Sequence, residues 1–137
     1  MTEDLTLIEP TVTHADEFFS MAEEWRNTGE SKFQAALNDF AAYLSALEAA
    51  KQAADLPPGR VPGSTYWLVC GERRIVGTSR LRHWLEPQLE KEGGHIGFDI
   101  RPSERGKGYG TALLGLTLEK AEGLGLREVL VTCDSDN

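Results

Sequence analysis

Cysteine is scarce in this chain, and its two residues do not pair by pattern. Cys70 and Cys133 fall in separate apolar, strand-like segments without C-x-x-C spacing. That argues against a metal centre or a disulfide framework and reads as two buried free thiols. Positive charge is also short: 14 Lys and Arg face 22 Asp and Glu, for a net charge of −8. The imbalance is local, because residues 1–56 hold 11 acidic and 3 basic side chains, whereas residues 57–137 hold 11 of each. Such a field repels nucleic acid, which needs a basic face, and favours a cationic or amine-bearing substrate. No apolar run approaches the ~20 residues that span a bilayer, and the acidic start Met1-Thr2-Glu3-Asp4 is no secretory signal. Internal repeats and low-complexity segments are absent. The expectation is a cytoplasmic protein folded as a single domain over residues 1–137, with no membrane, nucleic-acid or metal partner.

Two familiar phosphate-binding motifs are missing as well. No Gly-Lys-Ser or Gly-Lys-Thr completes a Walker A loop, and the position three after Gly108 is Thr111, which breaks a G-x-G-x-x-G fingerprint. What the chain does have is Arg105-Gly106-Lys107-Gly108-Tyr109-Gly110, at the junction between an extended pattern and a helical one. A strand that turns through glycines into a helix leaves several backbone N–H groups without partners, aimed at an anion. Glycines here permit positive φ and close approach of a phosphate, while Arg105 and Lys107 supply two cations. An amide bond to a charged oxygen is worth roughly 1.5–3 kcal/mol, so three or four of them with the helix dipole hold a pyrophosphate.

The flanking pattern predicts an α/β fold. Leu5-Thr6-Leu7 reads as a first strand ended by Pro10. A helix follows, capped by Thr13 with Asp16 as capping-box partner, and carries Phe18, Met21, Ala22 and Trp25 at helical spacing up to Gly29. Phe33, Leu37, Phe40, Leu44 and Leu47 predict a second, continuous amphipathic helix of more than four turns. Residues 56–63 then break every regular pattern. Residues 65–70 and 74–82 form a hairpin around Gly71-Glu72-Arg73, with Val76, Thr78, Arg80 and Arg82 on one face and Ile75, Gly77, Ser79 and Leu81 on the other. Residues 84–94 are irregular and charged and read as a loop or a short helical turn. The next strand ends at Arg101-Pro102, and the glycine loop opens a helix with Leu113, Leu114, Leu118 and Ala121 as its inner stripe. Residues 127–133 then complete a right-handed crossover to a parallel fifth strand. The prediction is a mixed central sheet of about five strands with helices on both faces.

Arg105, Gly108 and Gly110 fill the pattern [RQ]-x-x-G-x-[GA], which resembles the acyl-CoA pyrophosphate loop of the GNAT superfamily of N-acyltransferases. Residues 95–101 look like that superfamily's fourth strand, 109–122 like its third helix and 127–133 like its fifth strand. The run from Pro62-Gly63-Ser64-Thr65-Tyr66-Trp67 through Leu81-Arg82-His83 and Gly93-Gly94-His95-Ile96-Gly97 to Arg101-Pro102-Ser103-Glu104-Arg105 resembles a bacterial branch of predicted acetyltransferases. In the superfamily another helix and usually two strands follow, the helix often carrying a tyrosine that protonates the leaving thiolate. This chain ends at Asn137 and is therefore expected to be a C-terminally short version of the fold.

The resemblance implies an N-acyltransferase that moves an acetyl or other acyl group from CoA to a primary amine of a small molecule or protein. Acetyl-CoA is its expected donor, held by Arg105, Gly106, Lys107, Gly108, Tyr109, Gly110 and Thr111. The backbone at Phe98, Asp99 and Ile100 is expected to line the pantetheine arm and polarise the thioester carbonyl. For the base that frees the amine, His95 and His83 are the candidates, since imidazole titrates near neutrality. Asp99 is an alternative base or an ion-pair partner for Arg80. No residue stands out as the thiolate's acid. A non-catalytic acyl-CoA-binding or interaction module remains the alternative, with a nucleotide-binding domain third. The exposed edge of the last strand is expected to be covered by a second subunit, giving a homodimer.

Overall fold

The computed structural model describes residues 4–30, 32–52, 61–83 and 95–125. Four strands, β1 (Leu5–Ile8), β2 (Gly63–Cys70), β3 (Arg74–Arg82) and β4 (Ile96–Ile100), form an antiparallel sheet in the order β1-β2-β3-β4. Helices α1 (Ala15–Asn27), α2 (Gln34–Asn38) and α3 (Phe40–Gln52) cover one face, and α4 (Tyr109–Gly123) covers the other. This is the expected α/β architecture with helices on both faces. The fifth strand expected at residues 127–133, Cys133 with it, and the loop or short helical turn expected at 84–94 lie outside the described residues.

The hairpin forms where expected because Gly71 adopts φ +71, which L-residues rarely do, between two apolar, β-prone runs. Its faces differ from simple alternation. Leu68 pairs with Gly77 but Val69 pairs with Ile75, so Val76 is an extra residue, a β-bulge. The bulge reverses the parity of β3: Ile75 packs with Phe18, Met21, Trp25 and Trp67 on the α1 face, while Val76 joins Leu68, Tyr109 and Leu113 beneath α4. Ser79 and Leu81 share the α4 face with Val76, and Arg80 is thereby grouped with Ile75 rather than with Val76.

Two cores result. On the helical-hairpin side Phe18 and Trp67, both fully buried, stack at 4.9 Å between centroids, and Phe33, Phe40 and Tyr43 complete the aromatic cluster. Each such ring pair adds about 0.5–1.5 kcal/mol beyond its buried area. Under α4 the stripe is Tyr109, Leu113, Thr117 and Ala121. Thr117 replaces Leu118 in that stripe because its hydroxyl bonds both Leu113 O (2.7 Å) and Ser79 Oγ (2.8 Å), whereas Leu118 faces outward. Gly77 lets these layers close: a Cβ there would meet Asp99 O at 3.0 Å and Leu113 Cδ2 at 3.2 Å.

The long second helix is broken. Asp39 is extended (φ −154, ψ 92), and its Oδ1 accepts from Ala42 N at 3.0 Å, so it ends α2 and caps α3. An aspartate gains more at an N-cap than inside a helix, and the apolar spacing survives the break. The first helix also starts differently: Thr11, not Thr13, opens a 3-10 turn at Val12–His14, and Asp16 pairs with Arg73 instead of closing a capping box.

Candidate functional site

The ladder between β3 and β4 decides which amides of β4 face outward. Arg82 N donates to His95 O (2.7 Å) and Arg101 N to Val76 O (2.8 Å), and antiparallel ladders alternate bonded and non-bonded pairs. The amides of Gly97, Asp99 and Arg101 therefore point into the sheet. Those of Phe98 and Ile100 point the other way, toward the side of β4 on which no described strand lies.

That side opens into a cavity of about 400 Å³, bordered by Phe98 and Ile100 at one end and the glycine loop at the other. Arg105, Gly106, Gly108, Tyr109, Gly110 and Thr111 all line it, so with Phe98 and Ile100 eight of the ten residues expected to hold a donor meet here, Asp99 and Lys107 being the exceptions. Gly106 (φ +79) and Gly108 (φ +87) hold the left-handed conformations that shape the turn, and Gly108 serves as the N-cap of α4. Gly110 has ordinary φ and lies in the first turn of α4, where a Cβ would sit 3.5 Å from Phe98 Cε2. Among the described residues, the backbone N–H groups of Arg105, Gly106, Lys107, Gly108, Gly110 and Thr111 have no hydrogen-bond partner.

The approach to the loop is anchored from behind. Arg101, 2% exposed, donates to Glu24, Ser20 Oγ and Ile75 O, and Glu24 in turn accepts from Ser103 N (3.0 Å) and Ser103 Oγ. Burial alone would raise the Glu24 carboxyl, but hydrogen bonds from Arg101 and Ser103 outweigh it and hold the group below its ordinary value. Ser103 N and Glu104 N are thus occupied internally, so the open amides begin at Arg105.

Of the two loop cations, one turns away from the cavity and the other borders it. Lys107 is absent from the cavity lining and binds Glu104 at 3.0 Å, while Arg74 binds the same carboxylate at 2.8 Å. Burial tends to raise Glu104, and these two cations hold it low instead. Arg105 keeps its place in the lining and stacks over the buried ring of Trp25, 5.0 Å from its centroid. Tyr109 is buried, with its hydroxyl 3.6 Å from Cys70 Sγ.

On the other flank of β4 lies a second cavity of about 460 Å³. Phe98 borders both. Asp99 and His95 line the second, together with Lys32, Ser64, Arg80 and Arg82. Asp99 is mostly buried and meets Lys32 at 3.2 Å and Arg80 at 3.6 Å, the latter being the partner its position suggested. His83 lies outside both linings, but its Nε2 is 2.9 Å from Ser64 Oγ, and burial lowers its pKa, favouring the neutral ring. Tyr43 is a poor proton donor, because burial pushes its phenol up to about 12.

Sequence reasoning missed Lys32, Ser64 and Glu24. Ser64 was reachable: once the hairpin register sets Gly63 opposite Arg82, the next residues, Ser64 and His83, become diagonal neighbours. Glu24 and Lys32 gave no signal, since each meets its partner across 67 or more residues of chain.

No helix among the described residues is long and apolar enough to cross a membrane, and those residues hold no cluster of metal-ligating side chains. No curated protein matches the chain. A family model for the acetyltransferase (GNAT) domain matches residues 4–137, and with the glycine loop, the outward-facing β4 amides and the flanking cavities in place, the chain belongs to that family.

Proposed function

We propose that this protein is an N-acyltransferase that uses acetyl-CoA as donor and a primary amine as acceptor. Family membership supports acyl transfer in general. The observation that carries the finer reading is the run of unpartnered amides from Arg105 to Thr111 beside a cavity that ends at the outward amides of β4.

The residues present fit such a donor. Unpaired N–H groups at a helix start, two of them on left-handed glycines, suit the oxygens of a pyrophosphate. Arg105 adds a positive charge, oriented by Trp25, whereas the Lys107 charge is largely answered by Glu104. When bound, acetyl-CoA supplies an activated thioester carbonyl. The Phe98 and Ile100 amides would donate to that carbonyl, stabilising negative charge as it develops on the oxygen. Phe98 separates the donor side from the second cavity, which would seat the amine. His95 lines that cavity and is assigned the proton of the amine, with Ser64 and His83 as the alternative route.

Calorimetric titration with acetyl-CoA and with ATP, followed by measurement of thiol release over an amine library, tests this. The expected result is selective acetyl-CoA binding and amine-dependent thiol release. Preference for ATP, or no binding of either, would overturn the reading. Acetyl-CoA binding with no thiol release would leave an acyl-CoA-binding module in its place.

A further inference from the structure

Among the described residues, cations outnumber carboxylates in the lining of the cavity assigned to the acceptor, against the sign of the chain as a whole. The protein as a whole is at −8, yet the described lining of this cavity includes Lys32, Arg80 and Arg82 against Asp99 as its sole carboxylate. Asp99 is shared by two of these cations, meeting Lys32 at 3.2 Å and Arg80 at 3.6 Å, with its side chain 11% exposed. One carboxylate between two cations leaves positive charge in excess, and a half-enclosed, low-dielectric cavity concentrates its field.

Arg80 is the cation best placed to use that excess. Its side chain is 56% exposed, and the 3.6 Å separation from Asp99 is beyond hydrogen-bond reach. Among the described residues its guanidinium has no hydrogen-bond partner. Opposite it in β4 stands Gly97, where a Cβ would lie 3.4 Å from Arg80 Nη2, so the missing side chain lets the guanidinium lie flat across the strand. A planar fork held in this way matches a carboxylate or a phosphate through two parallel N–H···O bonds. The volume of about 460 Å³ is that of a small-molecule site.

Resting on the acyl-transfer reading above, we propose that the acceptor is an amine that itself carries an anionic group, a carboxylate or a phosphate, docked on Arg80 beside Lys32, with its amine directed toward Phe98. In the step this implies, the acetyl carbon leaves the thioester sulfur and bonds to the amine nitrogen. The nitrogen gives up one proton and the sulfur gains one, yielding an anionic amide and free CoA thiol.

The test compares matched probes: phenylalanine, phenylalaninamide and phenethylamine for the carboxylate, and phosphoethanolamine with ethanolamine for the phosphate. Each is assayed for thiol release with acetyl-CoA and for calorimetric binding to the acetyl-CoA-loaded protein. The amide has the less basic amine and so starts with more of the reactive neutral form, which makes a preference for the acid informative. At least one anionic probe should exceed its uncharged counterpart about tenfold in kcat/KM or, where no probe turns over, in affinity. A preference in the carboxylate arm alone or in the phosphate arm alone identifies the group. Arg80→Ala should bring the ratio toward one and Arg80→Lys should retain part of it, with thermal unfolding reporting that both variants fold. Equal or reversed preference in both arms overturns the inference while acetyl-CoA binding stands. Absence of acetyl-CoA binding would instead sink the acyl-transfer reading, and this inference with it.

Discussion

Glu24 on α1 and Ser103, 79 residues later, are joined by two hydrogen bonds, from the Ser103 amide and from its hydroxyl, to the two carboxylate oxygens. Arg101 donates to the same carboxylate from inside the core. Helix α1 therefore fixes the segment that leads from β4 into the glycine loop, and the helical front of the chain contributes to the site without lining its donor cavity.

Replacing Arg101 by Met should accordingly be severe. It leaves Glu24 without its buried cation and Ile75 O without its side-chain donor, and removing one partner of a buried pair costs about 3–5 kcal/mol. Glu24→Gln keeps the shape, and Arg101 retains Glu17 at 3.6 Å, so the loss should be smaller. Urea unfolding of the two variants checks the order; equal and small losses would show that the network does not anchor the loop.

Stability should fall on acidification, and the sign follows from two carboxylates. Glu24 and Glu104 both titrate below their ordinary value of 4.5 in the folded protein. The unfolded chain therefore takes up protons first as the pH drops through 4.5, and the stabilisation present above that value is lost toward the lower folded pKa values. His83, also lowered, acts in the same direction from its ordinary 6.5 downward. Urea midpoints between pH 3 and 8 should decline on the acid side, and Glu104→Gln should flatten part of the decline.

The glycine loop and the start of α4 were legible because left-handed turns and helix entries restrict which residues fit, and Gly106 and Gly108 satisfy that restriction. The hairpin was legible for the same reason at Gly71. The break at Asp39 was not, since Phe33, Leu37, Phe40, Leu44 and Leu47 keep helical spacing across it, and the extended backbone of Asp39 with its capping bond to Ala42 reveals it. The bulge at Val76 hid as well, because strict alternation carries no mark of an inserted residue. Lys107 illustrates a further limit: its charge lies in the loop sequence, but Glu104, three residues earlier, draws it away from the cavity.

Two glycines on either side of one helix entry separate conformational need from mere absence of a side chain. Gly108 sits at φ +87, so Gly108→Ala is strained although nothing lies within 4 Å of the added Cβ, and about 1–2 kcal/mol of stability should be lost. Gly108→Glu adds a carboxylate beside the donor cavity and should abolish measurable acetyl-CoA binding. Gly115, exposed within α4 and equally open, should gain roughly 0.5–1 kcal/mol when changed to Ala and keep its acetyl-CoA affinity. Unchanged affinity in Gly108→Glu would remove the loop from the binding site.

The base can be assigned by comparing the two histidines. His95 borders the acceptor cavity, whereas His83 reaches it only through the Ser64 hydroxyl, 2.9 Å from its Nε2. If His95 takes the proton directly, His95→Gln should lower kcat/KM by about 10²-fold or more and remove the acidic limb of its pH profile, with acetyl-CoA affinity retained. His83→Gln should change the rate much less, because glutamine can still bond Ser64. The reverse order, with Ser64→Ala matching His83→Gln, would move the role to the Ser64–His83 pair. The acidic limb would then lie below 6.5, since burial lowers that imidazole.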